Sequence, residues 1–270
     1  MTLDRALFIE QEITPYLPAN EMSVIGRDLP QGIQEGGCEA RTFMPKYGAI
    51  NERRNQLHEV IRLSGLNISI DDSDHPLIIK VATLQPSRMQ VYFIDNDDYF
   101  ERAGAKELEI NSSPDDNDER AIFFVRGTIE TVKKLRWIPS VVHCSGWITA
   151  LAPLYMRRMY QDDPTLKDSK IVYSIFNSTP VQDINPKIVD KLRMDGFSDD
   201  DLKALIDADG KIDQIALGKL AIDFSDGVAA ATADAPAELI EYAKASGKPF
   251  LEYPGAENYV EAHRQFYLSL

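Results

Sequence analysis

The sequence predicts an α/β fold: a doubly wound, mostly parallel sheet with an inserted antiparallel patch. Three observations carry this. Short β-branched runs alternate with amphipathic stretches along most of the chain, the pattern of helices laid on a parallel sheet. The first forty-odd residues read as strand, helix, strand, which is one βαβ unit. Between residues 57 and 96, strand-like runs succeed one another with only turn residues between them, which reads as the antiparallel insert.

Taken in order, ALFIEQEITP is a short apolar run closed by a proline turn, a buried strand. In NEMSVIGRDLPQGIQEGG the apolar residues Met22, Ile25, Leu29 and Ile33 recur every three or four positions, so it is a helix. Asn20 suits its N-cap and Gly36-Gly37 its stop. CEARTFMP is the next strand. LHEVIRLSGLNISI, HPLIIKVATL and MQVYFIDND supply three or four more. AKELEINSSPDDNDER is polar and reads as a loop. ERAIFFVRGTIETVKKLRW is a long helix with Ile122, Val125, Ile129, Val132 and Leu135 on one face. SVVHC is a buried strand, WITALAPLYMRRMYQ a helix and KIVYSIFN a strand. SDDDLKALID begins with a capping signal and starts a helix. IDQIALGKLAIDFSDGVAAAT reads as helix, then short strand. PAELIEYAKASG, stopped by Gly247, and AENYVEAHRQFYL are two amphipathic helices. No internal repeat or low-complexity segment is seen.

The chain has 270 residues, enough for a sizeable core, and an ordinary apolar fraction of 44%. Its net charge of −14 argues against non-specific nucleic acid binding and against anionic membranes. No run approaches the ~18 apolar residues of a membrane helix, and MTLDRALFIEQE is no signal peptide. The expected location is cytoplasmic. Cys38 and Cys144 are expected to be buried free thiols.

In a doubly wound sheet, ligands sit at the C-terminal ends of the parallel strands. SVVHC ends near His143, so VVHCSGWITALAP falls where this fold places its chemistry. A lone histidine there is more often a satisfied structural group. Ser145 is not a nucleophile elbow, because His143 and Trp147 stand where glycines are needed. Cys144 and His143 are strand neighbours and point to opposite faces, so they form no dyad. DDNDER, residues 115–120, reads as a solvated helix start rather than a metal site. DADGKID, residues 207–213, is a turn: placing Gly210 at the sixth position of a calcium loop puts Leu205 first and Ala216 last. No phosphate-binding glycine motif, metal cluster or cofactor site is seen. The residues alone therefore give an α/β domain with a ligand edge and no self-evident mechanism.

Several stretches together resemble the N-terminal half of bacterial glycogen synthases and plant starch synthases, the family-five glycosyltransferases. They are FIEQEITPY, LPQGIQEGGCEARTFMPKYG, VYFIDNDDYFER, DNDERAIFFVRGTIETVKKLRW, VVHCSGWITALAPLY and LAIDFSDGV, in the family's order and spacing. The resemblance implies the first of two Rossmann-like domains that face each other across a cleft. It implies a metal-free, retaining transfer of glucose from ADP-glucose to an α-1,4-glucan. On this reading residues 1–270 form one domain, and the C-terminal nucleotide-binding domain is absent.

Carried over by position, the family's Lys-x-Gly-Gly loop becomes Pro18, Ala19, Asn20 and Glu21. The lysine charge is gone, and Glu21 would repel a diphosphate. The glycines that let backbone approach phosphate are gone as well. The family's aspartate at the start of the long helix is kept as Asp116. Of the family's His-x-His/Asp strand end, His143 stands and Ser145 replaces the second group. A hydroxyl is shorter and carries no positive charge. The family's Thr-Ile-His-Asn reads Ser174-Ile175-Phe176-Asn177, with an aromatic in place of the histidine. Trp147 is assigned to packing.

Two expectations follow. Either the chain takes part in glucan synthesis, with a separate donor domain completing the site, or it is a pseudoenzyme that binds α-glucan or partners a complete synthase. The second is favoured, since oriented charge normally supplies the largest part of catalysis and much of it is missing here. The two closing helices are expected to cap the lost interface or to form a homodimer.

Overall fold

The computed structural model describes residues 3–100, 115–177 and 183–270. β1 (Arg5–Glu10), α1 (Glu21–Glu35) and β2 (Glu39–Pro45) form the expected parallel βαβ unit. A short helix, α2 (Glu52–Asn55), leads to β3 (His58–Glu59), β4 (Leu66–Ile70), β5 (Ser73–Leu84) and β6 (Met89–Asp95). β3 and β4 pair antiparallel with β5, β5 antiparallel with β6, and β6 returns parallel to β2. This is the inserted patch.

α3 (Asn117–Leu135) leads to β7 (Val141–Ser145), which pairs parallel with β1. A 3-10 turn, Trp147–Thr149, and α4 (Ala152–Arg157) precede β8 (Lys170–Ile175). Then come α5 (Ile188–Met194), α6 (Lys203–Ile206), α7 (Gln214–Phe224) and β9 (Gly227–Ala230). α8 (Ala237–Ala245), β10 (Phe250–Leu251) and α9 (Tyr259–Ser269) close the chain. The sheet runs β10-β9-β8-β7-β1-β2-β6-β5-β3, with β4 beside β5. β1 sits between a strand that follows it and one that arrives much later, so the strand order switches direction there.

Successive strand residues point to opposite faces. Leu7, Ile9, Val142, Cys144, Ile171 and Ile175 join the large apolar core under α3, α4 and α7. Ala6, Phe8, Val141 and Val172 face α1 and α9 in a smaller cluster with Tyr259, Phe266 and Tyr267. Cys38 and Cys144 are both buried free thiols. Trp147 packs in the large core, 2% exposed. Among the described residues, no helix is long and apolar enough to cross a membrane.

The elements depart from expectation in three places. β1 stops at Glu10, because Gln11 N–H turns to bond the Ser145 carbonyl at 3.1 Å. The helix expected across 147–161 is broken into a 3-10 turn and α4, with Pro153, which cannot donate, in the first turn of α4. The Ser198 capping signal forms its reciprocal bonds with Asp201, but α6 beyond it is four residues long. The loop expected over 105–120 lies mostly outside the described residues; its end, from Asp115, is a turn into α3.

Candidate active-site edge

The C-terminal ends of β1, β7 and β8 lie side by side. Their register places Glu10 opposite Ser145 and Ser145 opposite Ser174. Gln11 leaves β1 and accepts the Trp147 N–H at 3.1 Å, tying the two strand ends together. Gly146 makes this possible. Its φ is +90°, and a Cβ there would meet Gln11 Oε1 at 2.5 Å.

From Gln11 the chain loops to α1. Asn20 is the N-cap, as expected: its side chain accepts the Ser23 N–H at 2.7 Å, and Ser23 Oγ accepts the Asn20 N–H at 2.9 Å. The Asn20 amide donates to Glu12. Both ends of the Asn20 side chain are thus committed to the protein. Glu21 is exposed in the first turn of α1. Among these loop residues no lysine is present, so the edge carries negative rather than positive charge here.

His143 is fully buried and held on both sides. One ring nitrogen meets Ser174 Oγ at 2.9 Å and the other meets Tyr267 OH at 2.7 Å. Burial holds its pKa well below the usual imidazole value, and His263 nearby adds to this. A neutral ring fits these partners, since one nitrogen donates, the other accepts, and a hydroxyl can do either. His263 donates from Nδ1 to the Tyr259 carbonyl at 2.8 Å and is pushed down to about 4, chiefly by burial.

Ser145 is buried, and its neighbour across the sheet is the carboxyl of Glu10. Burial pushes the Glu10 carboxyl up to about 8, and the Ser145 hydroxyl beside it pulls it partly back. Glu10 is therefore mostly neutral at pH 7. Sequence reasoning missed Glu10. The available signal was an acid at the end of an otherwise apolar strand, LFIE.

Phe176, expected from the resemblance to replace a histidine, is buried against Met22 and Ala231. Asn177 follows it and donates to Asp234 at 3.2 Å on the surface. Asp116 caps α3 on the other face of the sheet; its carbonyl accepts the Arg120 N–H at 3.0 Å. The start of α3 is locked from α5: Lys191 Nζ bonds Asp118 at 2.7 Å and Glu119 at 2.6 Å. Tyr99 OH donates to Glu119 at 2.8 Å. So the structure brings together Glu10, Ser145, His143 and Ser174 under α1 and α9, and holds Asp116 on a different layer. Among the described residues, no group of three or more His, Cys, Asp or Glu is arranged to hold a metal ion.

The sequence matches the starch synthase catalytic domain family across residues 5–247. The chain belongs to that family. Among curated relatives, a glycogen synthase from Chlorobium phaeobacteroides is 36% identical over 174 residues, 64% of this chain and 36% of the relative. Another, from Chlorobaculum tepidum, is 34% identical over 202 residues, 71% of this chain and 41% of the relative. The chain thus spans well under half the length of the curated relatives it matches. The catalytic domain of starch synthase IV from Arabidopsis thaliana, bound to ADP and acarbose, superposes with a TM-score of 0.73 at 17% identity. That match covers 93% of this chain and 51% of the plant one, and it shows a shared fold. The starch synthase-type fold read from the motifs is therefore the fold observed. Residues 248–270, which hold β10 and α9, lie beyond the family match.

Proposed function

We propose that these 270 residues form a starch synthase-type domain that binds α-glucan and does not itself transfer glucose from ADP-glucose. The observation that carries this reading is the chemistry at three matched positions. Pro18–Glu21 offers an acid where the family has a lysine and glycines. Ser145 is buried beside Glu10. Phe176 is buried against Met22 and Ala231. A glycosyl diphosphate needs donors and cations around its phosphates, and Glu21 opposes one.

Asp116 supports the other reading, an enzyme half completed by a separate donor domain, because the family's acid is retained at the start of α3. Glucan affinity is common to both readings, and donor affinity separates them. The test is calorimetric titration of the chain with maltoheptaose and, separately, with ADP-glucose. Heat with the glucan and none with ADP-glucose is expected. ADP-glucose binding as tight as the glucan's would sink the proposal.

A further inference from the structure

At the end of the sheet opposite the Ser145 edge, one face is open to solvent and basic. Register places Arg41 of β2, Gln90 of β6 and Thr83 of β5 side by side, on the face that carries Leu7 and the large core. α3 ends at Leu135, and Gln90 and Thr83 are exposed. The Arg41 guanidinium lies over the Trp137 ring at 4.8 Å and over the Tyr92 ring at 6.0 Å. Its Nη2 donates to Glu39 at 3.3 Å, and Glu39 also meets Arg5 at 3.2 Å.

Three exposed cations surround this group: Arg62, Lys134 and Arg136. Burial raises the Tyr92 pKa, and Arg41 and Arg62 pull it partly back, so both stand near its phenol. Lys134 Nζ donates to the Leu63 carbonyl, next to Arg62, at 3.5 Å. Arg136 directly precedes Trp137. Two buried donors in the patch have no acceptor, Arg41 Nη1 and Trp137 Nε1. Neither group can itself accept a hydrogen bond. Unpaired buried donors are costly, so this pair calls for an acceptor from outside the chain.

We propose that this patch binds a phosphate group, free or carried on a small molecule. Charge selects an anion over water or a neutral ligand. Among the described residues, Glu39 is the one carboxylate that pairs with any of Arg5, Arg41, Arg62, Lys134 and Arg136. That local excess stands in a chain of net charge −14. Guanidinium forks and an indole N–H suit the several acceptor oxygens of a phosphate. Cations at a helix C-terminus offset its dipole, which accounts for Lys133 and Lys134 but not for Arg41 or Trp137. The Arg41 side chain is 19% exposed and that of Arg5 43%, so an anion reaches both from solvent. Turning Arg41 Nη1 outward is the adjustment that binding requires. Arg5 and Glu10 mark the two ends of β1, roughly 17 Å apart at strand spacing, so a phosphate here does not compete with a ligand at the Ser145 edge.

The test uses the whole chain at fixed pH and ionic strength, with chloride exchanged for inorganic phosphate or, separately, for glycerol phosphate. Calorimetry and tryptophan fluorescence read binding. Saturable binding that chloride does not reproduce is the expected result. A response to inorganic phosphate assigns the site to the free anion, and a response to glycerol phosphate alone assigns it to a phosphate on a carrier. Arg62→Gln, at an exposed position, is expected to weaken binding roughly tenfold or more, and Arg41→Gln to abolish it. Circular dichroism confirms that each variant is folded; if Arg41→Gln is not, Arg136→Gln takes its place, with a loss of the size expected for Arg62→Gln. No saturable binding of either phosphate overturns the proposal, and so does binding left unchanged by these substitutions.

Discussion

The two faces of this sheet are built by alternate residues of the same strands, yet they follow different rules. On the α3–α4–α7 face, Ile9, Val142, Cys144 and Ile175 meet Phe123, Phe124, Trp147 and Tyr155, all apolar or aromatic. On the α1–α9 face, Glu10, His143, Ser145 and Ser174 alternate with Phe8, Val141 and Val172 under Tyr259, His263 and Tyr267. The first face is a core that would stabilise any domain of this fold. The second buries titratable groups toward the C-terminal strand ends, where doubly wound sheets place ligands, and the tail beyond the family match covers it. Stability thus comes mainly from the first face, while the second places buried titratable groups within the sheet itself.

The comparison can be broken on either side. The largest effect is expected from Trp147→Ala on the apolar face. Loss of this buried ring costs about 3–5 kcal/mol, read as a lower denaturation midpoint. A loss below ~1 kcal/mol would mean that this face is not the main core.

On the polar face, the sign of the pH effect is specific. Glu10 has its pKa raised from 4.5 to about 8 in the fold, so the folded state holds a proton that the unfolded state has released. Stability from this group is complete below about pH 4.5 and is lost as pH rises toward 8, by a few kcal/mol at most. Glu10→Gln should flatten that decline in a series of melts between pH 5 and 8; an unchanged slope would assign it elsewhere. His143 and His263 act in the opposite sense. Their depressed pKa values favour the folded state above about pH 6.5, and stability falls as pH drops toward 4.

A smaller effect, on the order of 1–3 kcal/mol, is expected from Tyr267→Phe, which leaves a buried His143 nitrogen without its partner at 2.7 Å. A neutral result would mean that α9 is held by apolar contact alone, and the contrast between the faces would shrink to packing.

What was legible in the sequence is what is local. Asn20 and Gly36-Gly37 bracket α1 because capping and helix stops depend on a few adjacent residues. α3 was readable from its periodicity and β7 from its short apolar run. The two-residue strands β3 and β10 were not, because no period exists over two residues. The family motifs located the strand ends but not the surroundings of their side chains. His143 finds its partner Tyr267 across 124 residues of chain, a contact no local pattern contains. Glu10 looked like one acid among 43 Asp and Glu residues, and only the register with Ser145 gives it a role.

The most direct measurement of the central claim is transfer of labelled glucose from ADP-glucose to glycogen by the purified chain, with Asp116→Ala as control. The account predicts no incorporation above the control. Incorporation that disappears in Asp116→Ala would contradict it, and would make Ser145 and the acidic loop at Glu21 parts of a working transferase.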